Sequence, residues 1–340
     1  FVIVAGYDDD YAVMIAGSTD GAEDFSIAGC GDIDGEVLCM AVSPEIDGVR
    51  HLAAGTKDLT NGGRVWRLDV GSYWQGYWQD TSSYDGWLDS PFWTSETDVF
   101  AITSLEFSPN FDYDETLVGM AIGVAFSPDL APADEFGYGP GGYPAYHLFA
   151  GNWDGVDAWN TEAGFEYYPG IFATSEALLF ASTYYTGSWD RFFESPFLRM
   201  ATDIALPYDY SGEDPTDRTC LISVNGSLVP AAFGMPADEG GYLFLMIDMA
   251  PAFELLNQDD NPFVSSVDYR GSVTLMGDVM VGLAFPETWD SSDIRGWYDD
   301  GDPSLPCCEG VTVLYTDTPI GRNPCCPDNW GRADKNPTGQ

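Results

Sequence analysis

The stretch Ile102–Gly123, ITSLEFSPNFDYDETLVGMAIG, predicts the architecture of the chain. Apolar residues alternate with polar ones up to Phe107, and Ser108-Pro109-Asn110 and an acidic segment then interrupt the pattern before a second apolar run. Alternation with a period of two is typical of a half-buried strand, and Pro, Asn and Asp are typical turn residues. The stretch is therefore predicted to be a strand, a turn and a returning strand.

Versions of this phrase recur along the chain. MAVSPEIDGVRHLAAGT and ALPYDYSGEDPTDRTCLISVNG repeat the order of apolar strand, proline, acidic turn and apolar strand, with prolines at Pro44, Pro109 and Pro207. A spacing of roughly 60 residues divides the chain into five units of about four strands, and repeats of this size with four strands are typical of propeller blades. The units cover residues 1–30, 31–97, 98–195, 196–258 and 259–340.

The predicted fold class is therefore all-β, a β-propeller of four-stranded blades in which one unit carries a long insertion. It forms a single domain over residues 1–340, with an irregular tail rich in Cys, Pro and Gly over about 316–340. A β-sandwich or a set of tandem β-domains is the alternative. Met249–Asn257 is the only segment for which the sequence predicts a helical turn.

The charge of the chain is strongly negative. Fifty-five Asp and Glu residues stand against twelve Lys and Arg residues, which gives a formal net charge of −43. Such a surface repels phosphate groups, so nucleic acids are excluded as partners. Salt or divalent cations would screen the self-repulsion, and a solvated acidic surface without bound metal is the simpler interpretation.

Several features indicate an extracellular or cell-surface location. No apolar run approaches the ~20 residues of a membrane span. The sequence starts at Phe1 rather than Met, so we expect a processed or incomplete N-terminus.

Seven cysteines are present, and disulfides in an oxidising compartment are the expected state for the following six: Cys30, Cys39, Cys307, Cys308, Cys325 and Cys326. Cys30 and Cys39 flank a short acidic turn and are placed to bridge a hairpin. A zinc site made from the two vicinal pairs is the alternative, although zinc ligands usually occur as C-x₂₋₄-C. Cys220 is then the odd cysteine, either buried and unbridged or paired between chains.

Four acidic turns concentrate carboxylates and are candidate calcium sites, because Ca²⁺ takes six to eight oxygen ligands and turns also offer backbone carbonyls. Their members are Asp8, Asp9 and Asp10; Asp32, Asp34 and Glu36; Asp112, Asp114 and Glu115; and Asp299, Asp300 and Asp302. The alternative for each turn is an aspartate that caps its own backbone in solvent. The turn from Asp112 to Glu115 is the leading candidate.

An aromatic run from Tyr73 to Trp93 offers a second kind of surface. Its tryptophans are candidates for contact with a sugar or with another subunit: Trp74, Trp78, Trp87 and Trp93. Filling the gap between blades is the alternative role. His51 and His147 each lie within an apolar run and are interpreted as core or strand histidines rather than as catalytic or metal-binding residues.

The phrase LEFSPNFDYDETLVGMAIG resembles the blade opening of bacterial secreted β-propellers of the BNR/Asp-box type, which include sialidase-like and sortilin-like proteins. The nearest pieces to the Asp-box pattern S-x-D-x-G-x-x-W are Ser18-Thr19-Asp20-Gly21 and Asn152-Trp153-Asp154-Gly155 with Trp159. In that family the Asp-box is a structural turn. The resemblance implies a secreted propeller and no chemistry, since the F/Y-R-I-P opening of sialidases is absent and Arg199, in FLRM, does not match it.

These observations lead to two functional hypotheses. Because no catalytic motif is found, the first is a non-enzymatic extracellular protein that assembles with itself into a surface layer, tube or filament, with calcium bound at the acidic turns. The second is a secreted carbohydrate-binding or carbohydrate-active propeller that uses its aromatic run to contact glycans. A scaffold domain cut from a longer adhesin is a third possibility.

Overall fold

The structure is a computed structural model that describes part of the chain. The described residues are 2–7, 13–18, 21–27, 33–58, 60–71, 76–87, 99–125, 143–153, 157–165, 202–225, 241–247, 253–257, 263–272, 277–284, 313–316 and 331–332. The strands of this part fall into two compact units. The first holds β1 to β11 and also the loop Ser211–Glu213, and the second holds β12 to β19.

The first unit contains two sheets. A three-stranded sheet consists of β1 (Val2–Tyr7), β2 (Val13–Ser18) and β3 (Ser26–Ile27) in that order. The second sheet joins two meanders of four antiparallel strands. One meander comprises β4 (Glu36–Val42), β5 (Arg50–Lys57), β6 (Val65–Val70) and β7 (Gln79–Asp80), and the other β8 (Val99–Phe107), β9 (Thr116–Ala125), β10 (Tyr143–Asn152) and β11 (Ala158–Trp159). The two meanders meet where Lys57 of β5 pairs with Ala101 of β8.

The second unit contains two further sheets of four antiparallel strands. The first comprises β12 (Thr202–Ala205), β13 (Thr219–Asn225), β14 (Gly241–Ile247) and β15 (Phe253–Asn257). The other comprises β16 (Phe263–Arg270), β17 (Asp278–Ala284), β18 (Val313–Thr316) and β19 (Gly331–Arg332). In both sheets the order in space follows the order in the sequence. The amide of Val267 on β16 donates to the Asp203 carboxylate on β12 at 3.0 Å, which ties the two sheets together.

The prediction of an all-β chain made of propeller-type units is confirmed. The four sequential meanders have the strand order of propeller blades, and with the first sheet they fall into the five ranges that the repeats predict. Meanders in sequence order differ from the Greek-key connections of the sandwich alternative. No helix in the described part of the chain has the length and apolar character needed to cross a membrane.

The opening stretch has the predicted form of strand, turn and strand. Its turn contains α1 (Phe111–Asp114), the one described α-helix, which ends where Glu115 takes a left-handed φ of 51°. The helical turn predicted for Met249–Asn257 is wrong in its described part, because Phe253–Asn257 is β15 and pairs with β14. Cross-strand pairing overrides the local preference there, as is common for strands.

The core of the first unit covers both faces of the β4–β7 meander. Alternate side chains of β5 and β6 point to opposite faces. Ala53 and Val65 join a cluster with the aromatic residues of the β8–β11 meander. The other face joins a second cluster with Ile15 of the first sheet, and its members include Leu52, Ala54, Trp66, Leu68 and Val70. A sheet buried on both faces is rigid, and it fixes the polar side chains that reach its rim.

Candidate functional site

Two neighbouring strands bring a histidine, an arginine and an aspartate to one face of a sheet. His51 on β5 lies directly opposite Asp69 on β6 in the antiparallel register. Arg67 is two residues before Asp69, so its side chain points to the same face. The three side chains are therefore placed together by strand register rather than by a loop.

The Arg67 guanidinium joins two carboxylates that are distant in sequence. Its Nε and Nη2 donate to the two oxygens of Asp69 at 2.9 and 3.3 Å, which is a bidentate pair. Its Nη1 donates to Asp157 Oδ1 at 2.7 Å. Asp157 precedes β11 and has a φ of 49°, a left-handed conformation that aspartate tolerates better than most residues. Asp69 and Asp157 therefore occupy different sides of one guanidinium.

The two carboxylates are accessible while the groups that hold them are buried. The side chains of Asp69 and Asp157 are 42% and 50% exposed, and that of Arg67 is 9% exposed. His51 is also buried, and its Nδ1 lies 2.6 Å from Asp69 Oδ1. The half-buried phenol of Tyr84 completes the group through its interactions with Arg67 and Asp157. We call these five residues the Arg67 cluster: His51, Arg67, Asp69, Tyr84 and Asp157.

Aromatic side chains support the Arg67 cluster from below. The guanidinium carbon lies 5.6 Å from the centre of the Trp153 ring, within the range of a cation–π contact. The His51 ring meets Phe111 edge-to-face at 5.2 Å. Trp153 also meets Trp159 and Phe107 in edge-to-face pairs, and all of these aromatic rings are buried. This packing fixes the orientation of Arg67, and thereby of both carboxylates.

The electrostatics of the cluster keep Asp69 ionised. Burial alone would raise the pKa of Asp69, but hydrogen bonds from His51 and Arg67 together with their charges outweigh it and lower the pKa to about 2. Burial would lower the pKa of Arg67, and its hydrogen bond to Asp69 reverses this and raises it. Burial raises the pKa of Tyr84, so its phenol stays a neutral hydroxyl at pH 7. Asp69 therefore presents an acceptor beside a neutral donor.

Acid unfolding provides a test of the Asp69 pairing. The folded-state pKa of about 2 lies below the ordinary value of 3.8, so the stabilisation from Asp69 is present above about pH 4 and is lost as the pH falls towards 2. Because the carboxylate is half exposed, we expect a contribution of only about 1 kcal/mol after screening by solvent. Urea unfolding of Asp69→Asn should differ from the wild type by this amount at pH 7, and the difference should close by about pH 2.5.

The exposed Asp112 supplies the control for that experiment. Asp112→Asn removes the same charge from the surface, and its difference from the wild type should stay near zero throughout the titration. A gap between Asp69→Asn and the wild type that is constant from neutral pH to the acid end of the titration would contradict the pairing.

The leading calcium candidate, the turn Asp112–Glu115, places its central carboxylate inside the protein. Asp114 is 2% exposed and accepts hydrogen bonds from the Ser108 hydroxyl at 2.6 Å and from the amides of Thr116 and Gly212 at 3.1 and 2.7 Å. Burial raises the pKa of Asp114 in spite of these donors. A calcium ligand is ionised and open to the ion. The structure gives Asp114 a structural role, in which it fastens the loop around Gly212 to the turn.

The other acidic turns are described only in part. Asp112 and Asp34 are exposed, and Glu36 lies 3.4 Å from Lys57 Nζ in a surface ion pair. Within the described residues no three His, Cys, Asp or Glu side chains form a group suited to a metal ion. The remaining candidates lie outside the described residues: Asp8, Asp9, Asp10, Asp32, Asp299, Asp300 and Asp302.

The predicted cysteine and tryptophan roles are also described only in part. Cys39 Sγ donates to the Ile102 carbonyl at 3.4 Å, and Cys220 is buried. No disulfide joins two described residues. Trp87 lies in the core of the first unit, where it meets Phe149 and Trp159 edge-to-face, so it packs the interior as the alternative interpretation proposed. Trp78 packs partly buried against the second cluster. Outside the described residues lie Trp74, Trp93, Cys30, Cys307, Cys308, Cys325 and Cys326.

Sequence reasoning missed most of the Arg67 cluster. It treated His51 and His147 as core histidines, and both are buried, with burial lowering the pKa of His147 to about 4. His51 differs because it faces Asp69. The missed signal lies in β6, VWRLDV, where Arg67 and Asp69 occupy alternate positions of an otherwise apolar strand. Two charges on one face of a buried strand need partners, and that requirement points to a built polar site.

Comparisons with known proteins show similarity of fold only. No family model and no curated protein matches the sequence. Among solved structures, a complex of BT0996 with the label RGII matches at 10% identity over 80% of this sequence and 74% of that protein, with a TM-score of 0.37. A thermostable family-43 glycoside hydrolase matches at 11% identity over 88% and 73%, with a TM-score of 0.32. The sucrose-6-phosphate hydrolase from Lactobacillus gasseri matches at 10% identity over 83% and 49%, with a TM-score of 0.35.

These comparisons bear on two expectations from the sequence. The prediction that the protein is not an enzyme is withdrawn, because the solved structures with similar folds include hydrolases. Of the predicted resemblance, the propeller-type fold is confirmed, and a relation to BNR/Asp-box proteins stays a prediction. Likeness at 10–11% identity assigns no reaction or ligand to this protein.

Proposed function

We propose that this protein is carbohydrate-active and that it binds a sugar over the carboxylates of Asp69 and Asp157. The observation that supports the proposal is the arrangement of two half-exposed carboxylates on either side of one buried guanidinium. Ionised carboxylates accept hydrogen bonds only, and each has about four lone-pair positions. Asp157 uses one of these for Arg67, which leaves acceptor positions for the hydroxyl groups of a sugar.

Tyr84 adds the apolar contact that sugar recognition needs. A tyrosine offers an apolar ring face and a polar hydroxyl, and such side chains suit ligands that have both kinds of surface. Tyr84 is half buried beside Arg67 and Asp157, so its ring is held in place while part of it remains accessible. The site then combines a fixed ring, two acceptors and a rigid base, as expected for a small-molecule site.

The same carboxylates suit the cleavage of a glycosidic bond. That reaction uses two carboxyl groups flanking the bond, one of which is ionised and acts as base, nucleophile or stabiliser of positive charge. The low pKa of Asp69 makes it the ionised member of the pair. Asp157, across the guanidinium, would be the partner that exchanges a proton with the leaving oxygen. Arg67 and His51 would hold the geometry without touching the sugar.

A pair of charge-neutralising substitutions tests the proposal. Asp69→Asn and Asp157→Asn should each weaken sugar binding at least about tenfold, since hydrogen bonds to charged groups contribute about 1.5–3 kcal/mol. Binding is measured by calorimetry with oligosaccharides selected on a glycan array, and cleavage by the release of reducing ends. Asp112→Asn, which removes an exposed carboxylate on α1, is the matched control and should bind like the wild type. Sugar binding that survives both substitutions would contradict the assignment.

Three predictions from the sequence stay predictions beside this proposal. They are the extracellular or cell-surface location, calcium binding at acidic turns outside the described residues, and self-assembly. We propose them as properties compatible with a secreted carbohydrate-active protein. Gel filtration of the protein with and without EDTA would test the last two together.

A further inference from the structure

We infer that the sugar site takes uncharged sugars and excludes acidic ones such as uronic, sialic or sulfated residues. This inference rests on the proposed function. It follows from how the positive charge near the site is used, and it names the class of substrate that the site accepts.

The one cation of the Arg67 cluster that is always charged is already committed. Arg67 directs Nε and Nη2 to Asp69 and Nη1 to Asp157, and its side chain is 9% exposed. Recognition of a carboxylate or a sulfate normally uses an accessible arginine fork. Here the fork is occupied by the protein's own carboxylates. His51 adds no accessible cation, because it is buried and its Nδ1 faces Asp69.

No other described cation of the first unit is available to replace Arg67. Residues 1–173 contain four basic residues, Arg50, Lys57, Arg64 and Arg67. Each of the first three lies in an ion pair with a different acid, namely Glu45, Glu36 and Asp80. Every described cation of this unit is thus matched by a carboxylate.

The accessible part of the site is therefore acidic. Asp69 and Asp157 present two negative charges at half-exposed positions against the single charge of Arg67. An anionic sugar would face this excess and also the field of a protein with net charge −43. Like charges brought together at a site weaken binding, and the effect falls as salt screens it. An uncharged sugar meets only acceptors for its hydroxyl groups.

The test compares sugars that differ only in charge. A neutral oligosaccharide that binds on the array is paired with its counterpart oxidised at C6 to the uronic acid, and both are titrated by calorimetry at about 20 and about 300 mM NaCl. We expect the acidic form to bind at least about tenfold more weakly at low salt, with a smaller gap at high salt. Asp157→Asn should also narrow the gap, because it removes one of the two repelling charges.

The outcomes separate this inference from the proposed function. If no sugar of either kind binds, both fail. If the uronic form binds as tightly as the neutral form or more tightly, and its binding depends on Asp69 and Asp157, the function stands and the selectivity is wrong. A gap between the two forms that is the same at both salt concentrations would overturn the electrostatic origin of the selectivity.

Discussion

Replacing Asp114 by alanine is expected to destabilise the first unit by about 3 kcal/mol. The carboxylate is buried and accepts from one hydroxyl and two amides. Removing it leaves these donors without an acceptor in the interior, and each such loss costs about 1–3 kcal/mol when water cannot replace the partner. The loss also releases the loop at Gly212, which lies so close to the turn that a Cβ there would be 1.9 Å from Thr116 Oγ1. Urea unfolding followed by tryptophan fluorescence gives the measurement.

Two further variants separate the hydrogen bonds from a general effect of the turn. Asp112→Ala changes an exposed residue of the same helical turn and should shift stability by less than about 0.5 kcal/mol. Asp114→Asn keeps one acceptor oxygen for Ser108 and Gly212 but presents an amide to the Thr116 N–H, so it should lie between the wild type and alanine. Equal losses for Asp112→Ala and Asp114→Ala would show that the buried network does not stabilise the turn.

Much of the fold can be predicted because its signals are local and repeated. Alternation in the opening stretch and its echoes after Pro44 and Pro207 mark strand pairs, and short connections leave antiparallel neighbours as the simple solution. The acidic turns were harder, since spacing alone does not distinguish a solvated carboxylate from a buried one. Asp114 is buried because Gly212, distant in the sequence, packs against it, and no local pattern contains that contact.

The candidate site could be predicted only in part, for the same physical reason. Arg67 and Asp69 are visible as charges on alternate positions of an apolar strand, and cross-strand register then brings in His51. Asp157 is one of fifty-five acids, and it reaches Arg67 only because β11 closes the neighbouring meander. Sequence order does not reveal which acid a buried arginine selects.

The turn and the site are linked through one aromatic residue. Phe111, the first residue of α1, packs against Phe107 and against the ring of His51. Asp114, at the other end of the same helical turn, holds that turn in place through Ser108 and Thr116. Damage to the Asp114 network should therefore also loosen His51 and, through it, Asp69. The repeated phrase that builds the fold also supports the floor of the site.

Replacing Arg67 by methionine is expected to abolish sugar binding and to lower stability by about 3 kcal/mol. Methionine fills the space over Trp153 but leaves Asp69 and Asp157 without their shared guanidinium. Removing one partner of a buried ion pair costs about 3–5 kcal/mol, and the half-exposed carboxylates place this case at the low end because water solvates them. Freed from each other, the two carboxylates lose their fixed spacing, so binding should fall more than in either single aspartate variant.

Arg50→Met is the matched control, since Arg50 lies on the adjacent strand and its Nη2 is 3.3 Å from the exposed Glu45 carboxylate. Its loss should cost less than about 1 kcal/mol and leave sugar binding intact. Arg67→Lys is more informative about geometry, because lysine keeps the charge but cannot form the bidentate pair with Asp69 while reaching Asp157. We expect it to recover part of the stability and little of the binding. Full binding in Arg67→Lys would mean that charge alone organises the carboxylates and that the fork geometry of Arg67 is not required.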